Sequence, residues 1–170
     1  TGKYKEEAEM LLMKRKRVVH KAQNKKTTVQ SLLNELKDKN KLSYTFVFVP
    51  EGYEPDYAEI DDYKIDNDDI HIIDEYADMF KSKGYKYHKY ITGLEDAPGI
   101  LNSFAAGDIE VLLSMKCLDE GVNIPAIQKA FILASSTNPK EYIQRRGRVL
   151  RKAEGKKHAV IFDFITLPRE

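Results

Sequence analysis

Apolar positions recur at two different periods along the chain, and the change of period marks out the elements. From Tyr4 to about Lys39, Ala8, Leu11, Leu12, Val18, Val19 and Ala22 fall three, four and seven apart, and Val29, Leu32, Leu33 and Leu36 repeat the pattern. This predicts two amphipathic helices, or one helix broken near Asn24. Tyr44 to Pro50 (YTFVFVP) is β-branched and aromatic and stops at a proline, as a strand buried on both faces does. Residues 51–69 carry many carboxylates with Pro, Gly and Tyr and no period, which predicts a long acidic loop. A helix over about Ile70 to Lys83 follows, closed by Gly84.

Beyond Gly84 strands and helices alternate: a strand over Tyr85 to Thr92, a helix over Ala97 to Ala106 ending at Gly107, and a strand over Ile109 to Ser114. A helical turn at Lys116 to Glu120 precedes Gly121, and Ala130 to Ala134 is a further buried strand. Asn138 caps a helix with Pro139 in its first turn, and His158 to Phe164 supplies the last strand. Alternation of this kind predicts an α/β domain with a mostly parallel central sheet covered on both faces. No internal repeat or linker divides it.

Composition narrows the setting. The 170 residues are 42% hydrophobic and 32% charged, and no apolar run approaches the ~20 residues of a membrane span. The one cysteine, Cys117, excludes an internal disulfide and a multi-cysteine zinc site, which fits a reduced cytoplasm. Charge changes the picture more, because the net value of +1 conceals separated blocks. Residues 1–41 carry 12 basic and 5 acidic side chains, residues 51–78 carry 1 and 12, and residues 139–170 carry 9 and 4. The basic ends suit phosphate, and they equally suit a solvated helix face.

In a parallel sheet, ligands bind beyond the carboxyl ends of the strands, so the residues after Pro50, Thr92, Ser114, Ala134 and Phe164 carry the candidate chemistry. The loop Met115 to Pro125 sets Gly121 beside Asn123, suited either to close backbone approach or simply to a tight turn. Gln144-Arg145-Arg146-Gly147-Arg148-Val149-Leu150-Arg151 packs four arginines into seven positions. Arg148 and Arg151, three apart, would share one face of a helix, where guanidiniums clamp polyphosphate or bind backbone phosphate.

Gln144 to Arg151 resembles motif VI (QxxGRxxR) of the superfamily 2 helicases, and Leu112 to Pro125 resembles their motif V in the restriction-enzyme and DNA-repair type. Tyr44 to Pro50 is similar to the strand of motif IV, and Thr92-Gly93 to motif IVa. Together these cover residues 44–165 in family order. The resemblance implies a RecA-like three-layer domain, the second of a two-domain ATP-dependent DNA helicase or translocase. Residues 1–41 would form a helical bridge from the first domain, and residues 42–170 the helicase C-terminal domain with its acidic insertion 51–69. ATP with Mg²⁺ would be held mainly by that first domain, and the segment alone would be inactive.

Position by position, the resemblance makes Arg148 and Arg151 arginine fingers on the γ-phosphate and Gln144 a positioner of the attacking water or a sensor of the phosphate. Gly121 would permit the motif V turn. Asn123 stands where the family usually has Asp, near the ribose, which keeps an acceptor but removes a charge. Thr92, Gly93, Ser114 and Lys116 would line the nucleic-acid backbone, with DNA favoured over RNA. The alternatives are an RNA-directed helicase domain, or a non-catalytic nucleic-acid-binding or regulatory module on the same fold.

Other constellations lead elsewhere. Thr1-Gly2-Lys3 looks like the tail of a phosphate loop and is read as a chance likeness. Ile72-Ile73-Asp74-Glu75 mimics an acidic magnesium motif on the wrong element, Asp66 to Asp69 lacks the spacing of a calcium loop, and His20, His71, His88 and His158 are scattered. No metal site is expected. Lys14 to Arg17 is either a solvated helix face or part of a nucleic-acid path, and Tyr53, Tyr57 and Tyr63 could meet a basic partner.

Overall fold

A computed structural model of the chain describes residues 4–8, 10–12, 22–38, 42–50, 67–91, 93–115, 124, 126–133 and 139–167. Five four-residue strands, β1 (Thr45–Phe48), β2 (Tyr87–Tyr90), β3 (Val111–Ser114), β4 (Lys129–Ile132) and β5 (Val160–Asp163), form one sheet in the order β2-β3-β1-β4-β5. All four pairings are parallel, and the register sets Phe48 beside both Ser114 and Ile132 at one end. Parallel neighbours need crossovers, which put helices on the faces. They are α1 (Gln23–Asp38), α2 (Asn67–Ser82), α3 (Ala97–Ala106) and α4 (Pro139–Val149).

Strand side chains alternate between two separate cores, so β1, β3 and β4 are apolar at nearly every position. Val47, Val111, Leu113 and Phe131 point to one face, where Val29 and Leu33 of α1 and Ile73, Tyr76 and Phe80 of α2 cover them. Phe46, Leu112, Ala130 and Ile132 point to the other, against Phe104 of α3 and Val149 of α4. The result is a three-layer α/β sandwich. Short-range signals set the ends of α3: the Asp96 carboxylate accepts from the Gly99 N–H at 2.9 Å, and Gly107 closes the helix in the left-handed conformation with φ 86°.

The structure departs from the expected boundaries in two places. α2 begins at Asn67, inside the stretch read as acidic loop. Residues 51–66 lie outside the described part. Leu11 and Leu12, placed on an apolar helical face by their spacing, are 67% and 60% exposed, and that face has no cover among the described residues.

Lys25 ties α1 to the sheet across 108 positions of sequence: its side chain is 4% exposed and its ammonium donates to the Leu133 carbonyl at 2.7 Å. Burial lowers its pKa to about 8, although nearby Asp163 acts in the opposite sense. Between about pH 8 and the unfolded value of 10.5, the unfolded chain holds a proton that the folded chain has released. Stability therefore rises with pH in that window. The increase from pH 8 to 10 is up to about 2 kcal/mol, brought to about 1 kcal/mol by screening from water in the adjoining cleft. Burial, with the Glu75 carboxylate, pushes Tyr76 up to about 12, so the trend reverses above pH 10. Urea unfolding at pH 8 and 10 should show the rise in the wild type and not in Lys25→Met; an equal rise in both would assign it to other groups.

Candidate functional site

The carboxyl ends of β1, β2 and β3 meet along one edge. Ser114 closes β3 there, 4% exposed, paired with Tyr90 on one side and Phe48 on the other, and its carbonyl accepts the Val49 N–H at 2.9 Å. Gly93 follows β2 exposed, in the left-handed conformation with φ 85°. Thr92, Lys116, Gly121 and Asn123 lie outside the described residues. Of the residues read from motifs IVa and V, the structure thus brings Gly93 and Ser114 to neighbouring strand ends.

α4 approaches the same edge. The Arg145 guanidinium sits over the Phe48 ring, 5.8 Å from its centroid, and Val149, fully buried, fixes the other end of the helix in the core. Gln144 and Arg148, four apart on α4, share a face; Gln144 is exposed and Arg148 half-buried. Arg151 does not share that helical face as the spacing suggested, because α4 ends at Val149. It stands instead in the turn that follows, where its N–H reaches the Arg148 carbonyl at 3.4 Å. The helix stops without a glycine or asparagine cap: the Lys156 ammonium donates to the Val149 and Arg151 carbonyls at 2.5 and 2.9 Å. Burial shifts that ammonium's pKa downward. Sequence reasoning passed over Lys156; the Glu154-Gly155 turn before it was the available signal.

Two clefts lie elsewhere on the domain, and neither includes Gly93 or Ser114. One, of about 690 Å³, lies between the start of α1 and the end of β5 and is lined by Lys25, Thr28, Asp163, Phe164 and Leu167. The other, of about 490 Å³, lies at the amino end of the sheet beside Tyr44, Gln128 and Lys156. Gln144, Arg148 and Arg151 border neither. Asp74 and Glu75, which mimic an acidic motif in sequence, form ion pairs with Lys89 and Lys26. Among the described residues no cluster of three or more His, Cys, Asp or Glu could hold a metal, and no helix is long and apolar enough to cross a membrane.

A five-stranded parallel sheet with helices on both faces and a motif-bearing carboxyl edge defines the RecA-like class. The chain belongs to the helicase conserved C-terminal domain family, whose profile matches residues 63–153, more than half of the 170. Among curated proteins it is 30% identical over 77 residues to a DNA 3'-5' translocase, XPB2, of Sulfurisphaera tokodaii. That match covers 45% of this chain and 17% of the translocase. Among solved structures, the C-terminal part of the Fun30 ATPase domain matches 81% of the chain with TM-score 0.56 at 15% identity, covering 39% of that chain. The Hef helicase domain of Pyrococcus furiosus matches 82% with TM-score 0.53 at 20% identity, covering 25% of that chain. The DEAD-box protein SrmB of E. coli matches 82% with TM-score 0.57 at 16% identity, covering 69%. The structural likenesses establish the fold, and the sequence match establishes the family.

Proposed function

We propose that the chain is the second motor domain of an ATP-dependent DNA translocase or helicase and supplies the arginine half of an ATPase site completed by a first RecA-like domain. The observation that carries this reading is the mounting of α4. Gln144 and Arg148 share one helical face, Arg145 of the same helix lies over Phe48 at the carboxyl end of β1, and Arg151 follows in the next turn. Guanidiniums held there stabilise charge that accumulates on a transferring γ-phosphoryl group, and Gln144 orients the attacking water. Gly147 supports the same reading. It is an exposed helical position whose added Cβ would meet nothing within 4 Å among the described residues, so its cost to α4 has no return among them. Space for a second domain or for nucleotide gives it one.

The first domain would bind ATP and Mg²⁺, with residues 1–41 bridging to it. Gly121 and Asn123 would face the nucleotide ribose, and Thr92, Gly93, Ser114 and Lys116 the phosphate backbone of the tracked strand. ATP would draw the domains together and hydrolysis release them, so that grip on nucleic acid alternates between two states. DNA is favoured over RNA because the relative sharing 30% identity is a DNA translocase. The test is DNA-stimulated ATP hydrolysis by the full-length protein carrying Gln144→Ala, Arg148→Ala or Arg151→Ala, with folding checked. Loss of turnover with ATP binding retained supports the motor. Turnover unchanged in all three, with salt-sensitive DNA binding kept, indicates a binding module on the same fold.

A further inference from the structure

Arg151 lies two residues beyond the end of α4, and contacts of both its N–H and its carbonyl bear on where it sits. Its N–H reaches the Arg148 carbonyl at 3.4 Å, and its own carbonyl accepts from the Lys156 ammonium at 2.9 Å. The same ammonium takes the Val149 carbonyl at 2.5 Å, so one side chain spans the last helical residue and the residue two beyond it. Lys156 reaches them because residues 153–156 turn tightly back. Its N–H bonds to the Ala153 carbonyl at 3.1 Å, with Gly155 left-handed at φ 74°. The positive charge also lies at the helix C-terminus, where unpaired carbonyls collect negative potential.

From this geometry we infer that Lys156 is a positioning residue for Arg151, a clamp that sets where the second arginine enters the ATPase site. The inference rests on the proposed motor function. Without the clamp the Arg151 carbonyl loses its ammonium donor, while the helix itself stays anchored by Val149 and by Arg145 over Phe48. The effect should therefore appear in the chemical step more than in nucleotide binding, because a displacement of about 1 Å in a reacting group can cost ~100-fold.

The test uses DNA-stimulated ATP hydrolysis by the full-length protein. Lys156→Met, which keeps the length and removes the donors, should lower kcat by roughly 10- to 100-fold and leave the KM for ATP much less changed. Lys156→Arg, which restores charge and donors, should recover most of the rate. In an Arg151→Ala background Lys156→Met should cost less than about twofold more, because the two act as one unit. Should Lys156→Met fold poorly, Gly155→Val provides a second route, since a β-branched residue cannot hold the left-handed turn that delivers Lys156. Gly155→Asn, which tolerates that conformation, should retain the wild-type rate.

Wild-type kcat in Lys156→Met, or an equal further loss in the Arg151→Ala background, overturns the clamp. If Arg151→Ala itself turns over normally, the arginine reading of the site fails and the clamp falls with it. If Arg151→Ala collapses turnover and Lys156→Met does not, only the clamp is lost.

Discussion

Arg148→Lys in the full-length protein is expected to lower DNA-stimulated ATP turnover by on the order of 10³-fold, nearly as far as Arg148→Ala, although it keeps the positive charge. The physical difference is shape. A guanidinium is a planar fork that offers paired N–H groups to two phosphate oxygens, whereas an ammonium is a compact, strongly hydrated point charge. Arg148 is half-buried on a helix fixed by Val149 in the core and by Arg145 over Phe48, so its stem has little freedom to bring a differently shaped head to the same place. Steady-state kcat beside nucleotide binding measured without turnover separates the two effects. Near-wild-type kcat in Arg148→Lys would mean that the site needs only positive potential at position 148, and would remove the finger role.

Features that depend on one stretch of chain were legible in the sequence. The apolar strands of β1, β3 and β4 are buried on both faces, as runs without alternation require, and α3 spans Ala97 to Ala106 and closes at Gly107 as expected. The order of motifs from Tyr44 onward anticipated the family. What escaped were features decided by distant partners or by competing local signals. Carboxylate density around Asp68 suggested loop, yet α2 begins at Asn67. Three-residue spacing suggested that Arg148 and Arg151 share a helix, but α4 ends at Val149, between them, where the Lys156 ammonium meets its last carbonyl. The burial of Lys25 depends on the Leu133 carbonyl 108 positions away, and no local pattern carries that information. Thr92, Lys116, Gly121 and Asn123 lie outside the described residues, so their proposed roles rest on motif order.

The largest loss of stability is expected at Phe131, at the centre of β4 on the face covered by α1 and α2. Its ring is fully buried and meets Phe162 at 5.0 Å between centroids, Phe164 at 5.8 Å and Phe80 at 6.0 Å. Phe131→Ala removes a shared partner of three aromatic rings, and the surrounding strands are too constrained by their ladders to collapse into the space. A cost of about 3–5 kcal/mol follows, a large share of the ~5–15 kcal/mol available to a domain of ordinary stability. For a chain of this length that corresponds to a fall in Tm on the order of 10 °C. β5 should loosen first, because it is an edge strand paired only with β4 and Phe131 is the ring against which its Phe162 packs edge-on. Hydrogen exchange should show amides of Val160 to Asp163 losing protection before those of β1 and β3, which are paired on both sides. Uniform loss across all five strands would mean that the sheet opens as one unit. Unchanged Tm would mean that the aromatic cluster contributes little, and that the domain is held chiefly by the opposite core around Phe46, Leu112 and Ile132.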